Sequence, residues 1–318
     1  MIPGTPLKTP ILFLIFNRPE TTRKVFQEIR RARPGKLYIA SDGPRVNKDN
    51  EKKLVADLRE EVTKGVDWDC KVFTLFREAN LGCKNAVSGA ISWFFDKEEA
   101  GIILEDDCLP ARSFFPFCEA LLEKHRNDEN CAGITGDFHM LDSARPSGEY
   151  GRISFPLIWG WATWRRVWEM YSPEIPIKEA SSMQVPGLAK KKPNTKRFFD
   201  EHFQMILAGK DTWDVQFSHL ALKKSLYFLH PFRNLISNIG FAVGATNTGN
   251  ADDPFSALPL KELDALPVKL VNDPAYERWL DLYAFNTPPF PVRVIRRFFR
   301  MTIGRDKADR LFHLLQRE

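Results

Sequence analysis

The chain has 318 residues, 43% hydrophobic and 27% charged, a balance that excludes overall disorder and allows a sizeable core. Its net charge of +5 is confined to the tail: residues 290–318 hold eight Arg and Lys against three Asp and Glu, so the rest sums to zero, which argues against nucleic-acid binding by the folded body. Apolar runs fall well short of the ~20 residues of a spanning helix or the apolar core of a secretory signal, and the five cysteines form no C-x-x-C pair, so the expected setting is a reducing cytoplasm, without disulfides or a zinc ribbon.

From Ile11 onward, short apolar runs alternate with amphipathic helical segments, the pattern of an α/β domain around a mostly parallel sheet. A strand over Ile11–Phe16 precedes a helix from about Glu20 to Arg31, and a strand over Lys36–Ala40 precedes a helix within Asn47–Lys64, with Leu54, Val55, Leu58 and Val62 on one face. A strand over Lys71–Phe76 leads to a helix over Ala86–Phe95, and Gly101–Leu104 leads to Ser113–Lys124. Ligands of such sheets bind outside the carboxyl ends of the strands. Those ends read Asn17-Arg18-Pro19, Ser41-Asp42-Gly43, Glu78-Ala79-Asn80-Leu81-Gly82 and Glu105-Asp106-Asp107. No Gly-rich dinucleotide fingerprint follows the first strand, no P-loop occurs, and the six histidines lack metal-ligand spacing.

Glu105-Asp106-Asp107 directly follows an apolar run. Three adjacent carboxylates repel one another, so a positive partner is expected, and oxygen-only ligands favour a hard cation such as Mg²⁺ or Mn²⁺ that also binds substrate phosphates. The alternative is a solvated turn capping the helix that begins near Ser113. Thr212-Trp213-Asp214 precedes a helical run over Val215–Leu226, so Asp214 reads from its position as an N-cap. Trp161, Trp164 and Trp168 recur at helical spacing and read as core or as site, while Trp159 and Gly160 precede that helix, the Gly leaving room for a close approach.

Seven stretches in order, I-L-F-L-I-F-N-R-P-E (11–20), Y-I-A-S-D-G-P (38–44), N-L-G (80–82), I-I-L-E-D-D (102–107), W-G-W-A-T-W (159–164), T-W-D (212–214) and S-N-I-G-F (237–241), resemble nucleotide-diphospho-sugar transferases of the GT-A fold, in particular the N-acetylglucosaminyltransferase I-like group and its bacterial relatives. The resemblance covers roughly residues 10 to 248. It implies a Rossmann-like mixed sheet flanked by helices over residues 1–250, followed by a C-terminal helical extension over 251–318. It also implies a donor site of Asn17, Arg18, Asp42, Gly43, Asn80, Glu105 and Asp106, with Asp107 on a divalent metal, Mn²⁺ or Mg²⁺. Asp214 stands where the family's general base stands, and Trp159, Gly160 and Trp161 are assigned to the acceptor or donor-sugar wall. Where relatives end the last block with a histidine, this chain reads Ala245-Thr246-Asn247-Thr248, so Asn247 offers an amide oxygen as a second metal ligand.

The implied reaction is metal-dependent, inverting transfer of a sugar from a nucleoside-diphosphate sugar to a hydroxyl of a glycan, possibly a lipid-linked one, in polysaccharide biosynthesis. Two other classes stay open: a sugar-nucleotide-forming nucleotidyltransferase, which usually carries a Gly-rich loop where this chain has Asn17-Arg18-Pro19-Glu20, and a non-catalytic glycan-binding or membrane-associated scaffold. The stretch Pro186–Pro193 reads as a solvated basic loop or as a lid over the donor. In the tail, Val294, Ile295, Phe298, Phe299 and Thr302 follow helical spacing among Arg293, Arg296, Arg297 and Arg300, a basic amphipathic helix that packs on the domain or lies on the inner face of the plasma membrane as a peripheral anchor.

Overall fold

The computed structural model describes residues 6–141, 143–241 and 255–285. Its first half is four strand-helix units: β1 (Ile11–Ile15), α1 (Pro19–Ala32), β2 (Lys36–Ser41), α2 (Glu51–Lys64), β3 (Lys71–Phe76), α3 (Gly82–Phe95), β4 (Ala100–Glu105), then a short β5 (Cys108–Pro110) and α4 (Phe114–Lys124). Next come β6 (Cys131–Thr135), β7 (Glu149–Ile153), β8 (Trp161–Trp164), α5 (Arg165–Trp168), α6 (Pro186–Ala189), α7 (Pro193–Leu207), α8 (Asp214–Lys223), β9 (Tyr227–Pro231), β10 (Ile236–Asn238), β11 (Lys269–Leu270) and α9 (Ala275–Trp279).

Nine strands form one mixed sheet in the order β11-β7-β9-β6-β8-β4-β1-β2-β3, and β10 pairs with β5 in a separate ribbon. The half made of β3, β2, β1 and β4 is parallel, whereas β8 runs antiparallel between β4 and β6. Helices cover both faces of a parallel sheet, so its strands read as unbroken apolar runs; all five residues of β1 are buried. The result is the mixed α/β sheet flanked by helices that the sequence resemblance implied.

The four early units match the sequence reading to within a few residues, with two exceptions of detail. Helix α3 begins at Gly82, four residues earlier than expected, and Leu54 stands exposed at the edge of α2 while Val55, Leu58 and Val62 are buried. The tryptophan segment departs more. Trp161–Trp164 is a strand, with Ile102 opposite Ala162 and Ile103 opposite Trp161, and only Arg165–Trp168 is helical. Burial on both strand faces removes the polar alternation that would have shown a strand, and the surviving tryptophan spacing mimics a helix.

Residues 255–285 return to the same body. β11 pairs with β7, and Tyr276, Leu280 and Phe285 enter the main core. Pro186–Pro193 forms α6 and the start of α7, and Lys191 is tied through Nζ to Glu277 at 2.6 Å. The amphipathic tail and Asn247 lie outside the described residues, among which no helix is long and apolar enough to cross a membrane.

Candidate active site

A cavity of about 400 Å³ opens at the carboxyl ends of β1, β2 and β4, the place that parallel topology dictates. Asn17, Arg18, Asp42, Asn80, Glu105, Asp106, Asp107, Trp159 and Asp214 all line it. The fold thus gathers most of the expected residues, contributed by segments almost 200 positions apart, around a single space.

In the acidic triplet, Glu105 ends β4 and Asp106 and Asp107 form the turn into β5. A strand therefore follows it directly, and it does not cap the helix near Ser113. Arg18 supplies the expected positive charge. Pro19, at the first turn of α1, keeps the residue before it out of the helical region; Arg18 accordingly has φ −119° and ψ 77°. Its Nη1 donates to Asp107 Oδ2 and lies 3.6 Å from Asp106 Oδ1. Burial opposes the guanidinium charge, but Asp106, Asp107 and Glu105 together raise its pKa above the ordinary value. Asp106 Oδ2 also accepts the Phe16 N–H at 3.0 Å.

One arginine does not balance three acids. Burial, then the charges of Asp107, Asp106 and Asp214, push the Glu105 carboxyl up to about 8 against the pull of Arg18. Burial and Asp107 push Asp106 up to about 7. The S-N-I-G-F block closes over this turn: Asn238 pairs with Cys108 in the β5-β10 ribbon, the Ile239 N–H donates to Asp107 O at 2.8 Å, and a Cβ on Gly240 would come within 2.1 Å of Asp107 Oδ2. The carboxylates gathered here offer oxygen donors, which suit a hard cation with phosphate oxygens completing its shell. Among the described residues no group of three His, Cys, Asp or Glu side chains is arranged to hold a metal without such help.

At the β2 and β3 end, the acids are occupied by the chain itself. Asp42 Oδ1 accepts the N–H groups of Gly43 and Leu81 at 3.0 Å each, and Oδ2 accepts those of Leu81 at 3.0 Å and Gly82 at 3.2 Å. Asn80 Nδ2 donates to Gly43 O at 2.8 Å, and a Cβ on Gly43 would meet the Ala79 carbonyl carbon at 2.3 Å. Asp42, Gly43 and Asn80 therefore lock two loops together. Asn17 Nδ2 binds Glu51 Oε1 at 2.9 Å; hydrogen bonds from Arg45, then Asn17, hold the Glu51 carboxyl down at about 2 despite partial burial. Arg45 and Arg77 add two guanidinium groups to the lining, and Arg77 donates from Nη1 to Ala86 O at 3.1 Å.

Asp214 is the first residue of α8. The N-cap is Trp213, so Asp214 makes no capping bond, and its Oδ1 accepts from Thr212 Oγ1. The wall beside it needs correction. Trp159 lines the cavity, its N–H donating to the buried Asp137 Oδ2 at 3.3 Å and its ring edge-on to Phe241. Trp161 is 1% exposed and packs against Trp213 at 5.6 Å and Phe217 at 5.0 Å, so it belongs to the core. Gly160 is buried at φ +91°, and a Cβ there would meet Ile236 Cδ1 at 2.4 Å; the close neighbour that requires glycine is Ile236.

Sequence reasoning passed over Arg45, Arg77, Asp137, Asp211 and Asn238. Asn238 alone had a local signal, inside the quoted S-N-I-G-F stretch.

No protein family profile matches the chain, and no curated protein matches it. Among solved structures, it is similar to a mannosyltransferase from Pyrobaculum calidifontis in complex with GDP-Man and Mn²⁺, at 12% identity and a TM-score of 0.38 over 70% of each chain. It is also similar to a UDP-glucose pyrophosphorylase complexed with UDP-glucose, at 10% identity and a TM-score of 0.37 over 70% of this chain and 90% of that one. HddC from Yersinia pseudotuberculosis is matched at 9% identity and a TM-score of 0.30 over 61% of this chain and 99% of that one.

Proposed function

We propose that this chain is a metal-dependent, inverting glycosyltransferase resembling the N-acetylglucosaminyltransferase I-like group, which moves a sugar from a nucleoside-diphosphate sugar to a hydroxyl of a glycan. The observation that carries the reading is the placement of Asp214 in one cavity with the acidic triplet, close enough that its charge raises the Glu105 pKa. A general base and a diphosphate site must share a single space for one-step transfer.

In this reading the base and ribose lie over Asn17, Arg45, Arg77 and the loops locked by Asp42, Gly43 and Asn80. The diphosphate meets Arg18 and Asp107. Asp107, with Asn247, would hold a Mn²⁺ or Mg²⁺ ion, which supplies neutralisation of charge on the departing diphosphate. Glu105 faces the sugar and Trp159 forms the acceptor wall. Asp214 takes the proton of the acceptor hydroxyl as that oxygen attacks the anomeric carbon from the face opposite the leaving group, and Thr212 holds the other side of the carboxylate still. The basic tail would attach the enzyme to the cytoplasmic membrane face, where a lipid-linked acceptor is found.

The test is a thermal-shift screen of UDP, GDP, dTDP and CMP and their sugars with Mn²⁺, Mg²⁺ or EDTA, on the wild type and Asp107→Ala. A ligand at 100 times its Kd stabilises by about 2.7 kcal/mol. One nucleotide should stabilise the wild type only with metal, and Asp107→Ala should lose the effect; no shift under any condition sinks the reading. A product with retained anomeric configuration removes Asp214 from the role of base.

A further inference from the structure

The amino end of α3 is held by two carboxylates that are not its own. Its N-cap is Leu81, which has no side-chain oxygen to offer the first-turn amides. Asp42, from the end of β2, takes the Gly82 N–H at 3.2 Å. Asp211 takes the Cys83 and Lys84 N–H groups, each at 2.8 Å, the pair that an N-cap side chain ordinarily serves. The partners of Asp211 lie 128 and 127 positions away in sequence.

This contact is built from both sides. Gly82 has φ +78°, and a Cβ there would stand 2.6 Å from Asp211 Oδ2, so the approach requires glycine. Asp211 also lines the cavity, three residues before Asp214. The segment between them is fixed at further points: Gln216 Nε2 donates to Thr212 O at 2.8 Å, and the Tyr171 hydroxyl donates to Trp213 O at 3.2 Å.

We infer that Asp211 is a positioning residue: it clamps the segment that carries Asp214 to the amino end of α3, where the preceding amide is held by Asp42 and the loops it locks, so that donor site and base form one rigid frame. The inference rests on the reading of Asp214 as the base. A contact of this kind sets the reach of the Asp214 carboxylate without touching either substrate, and a misplacement of ~1 Å in such a frame costs up to about a hundredfold in rate.

The experiment compares wild type, Asp211→Ala and Asp211→Asn in the full chain by nucleoside-diphosphate binding, by steady-state transfer and by amide hydrogen exchange. Asp211→Ala should lower kcat at least about tenfold while the Kd for the nucleoside diphosphate stays within about threefold. Exchange should quicken at residues 82–84 and 210–214 together, and Asp211→Asn, which keeps one accepting oxygen, should fall between. Wild-type kcat in Asp211→Ala, or unchanged exchange at 210–214, overturns the clamp. Equal losses of nucleotide affinity and turnover overturn it in favour of a direct donor contact. If the wild type transfers no sugar from any donor, the reading of the site fails, and the exchange measurement still decides the clamp.

Discussion

Replacing Glu105 with Gln should make the protein more stable, by an amount that depends on pH. The Glu105 carboxyl is held at about 8 in the fold, against 4.5 when unperturbed, by burial and by the negative charges of Asp107, Asp106 and Asp214. For an acid with a raised folded pKa, the folded state binds the proton more tightly. Its contribution is therefore most favourable below about pH 4.5 and is lost as pH rises toward 8. At pH 7 the loss is on the order of 3 kcal/mol, at ~1.4 kcal/mol per unit, and at pH 5 it is below about 1 kcal/mol. Gln removes the titrating group at nearly constant shape. With an unfolding entropy of ~2.1 cal/mol/K per residue, the gain at pH 7 is a Tm rise of about 4 °C.

The assay is differential scanning fluorimetry of wild type and Glu105→Gln at pH 5, 6, 7 and 8 in EDTA, so that no divalent cation neutralises the triplet. The difference should widen steadily across that series. A gain of equal size at pH 5 and pH 8 would show that repacking, and not charge, is responsible. A loss of stability at pH 7 would refute the claim that the triplet is under-neutralised.

Gly160→Ala should cost about 3 kcal/mol, combining a positive φ with overpacking against Ile236, and urea unfolding measures it. His230 is wholly buried and held down at about 4 by that burial, so stability should fall as pH drops from 6.5 toward 4, by up to about 3 kcal/mol from this residue; the slope of stability against pH in that window should flatten in His230→Gln. Truncation after residue 289 should abolish sedimentation with anionic liposomes, and unchanged sedimentation would leave the tail without a membrane role.

The half of the fold that was legible in the sequence is the half in which each strand is a buried apolar run ending in polar residues. Ile11–Ile15 and Ala100–Glu105 announce themselves by composition, and parallel topology then places their ends on one edge. The tryptophan strand was not legible, because Trp161–Trp164 is buried throughout and carries no polar beat. The site was legible as a list of residues but not as a set of roles. Asp42 and Asn80 stand where expected, yet only the structure shows that backbone amides and a carbonyl have claimed them. Asp211 had no local signal at all, since its partners come from Cys83 and Lys84.

That difference in roles gives acids of the same cavity opposite energetics. Asp42 and Asp211 accept backbone N–H groups, so their charges are spent on holding loops together; Asp106 accepts one as well, yet burial and Asp107 push it up to about 7. Glu105, Asp107 and Asp214 face the cavity, with side chains (Arg18 and Thr212) as their main partners or with repelling carboxylates as neighbours. Substituting Asp42 or Asp211 removes native hydrogen bonds and lowers stability, by about 1 kcal/mol for each bond lost. Substituting Glu105, whose carboxyl is pushed up to about 8 by burial and neighbouring charges, relieves repulsion and raises stability at the expense of ligand binding, the trade that working sites commonly show. The sign of the stability change therefore separates Asp42 and Asp211, which build the site, from Glu105, which uses it, before any substrate is known.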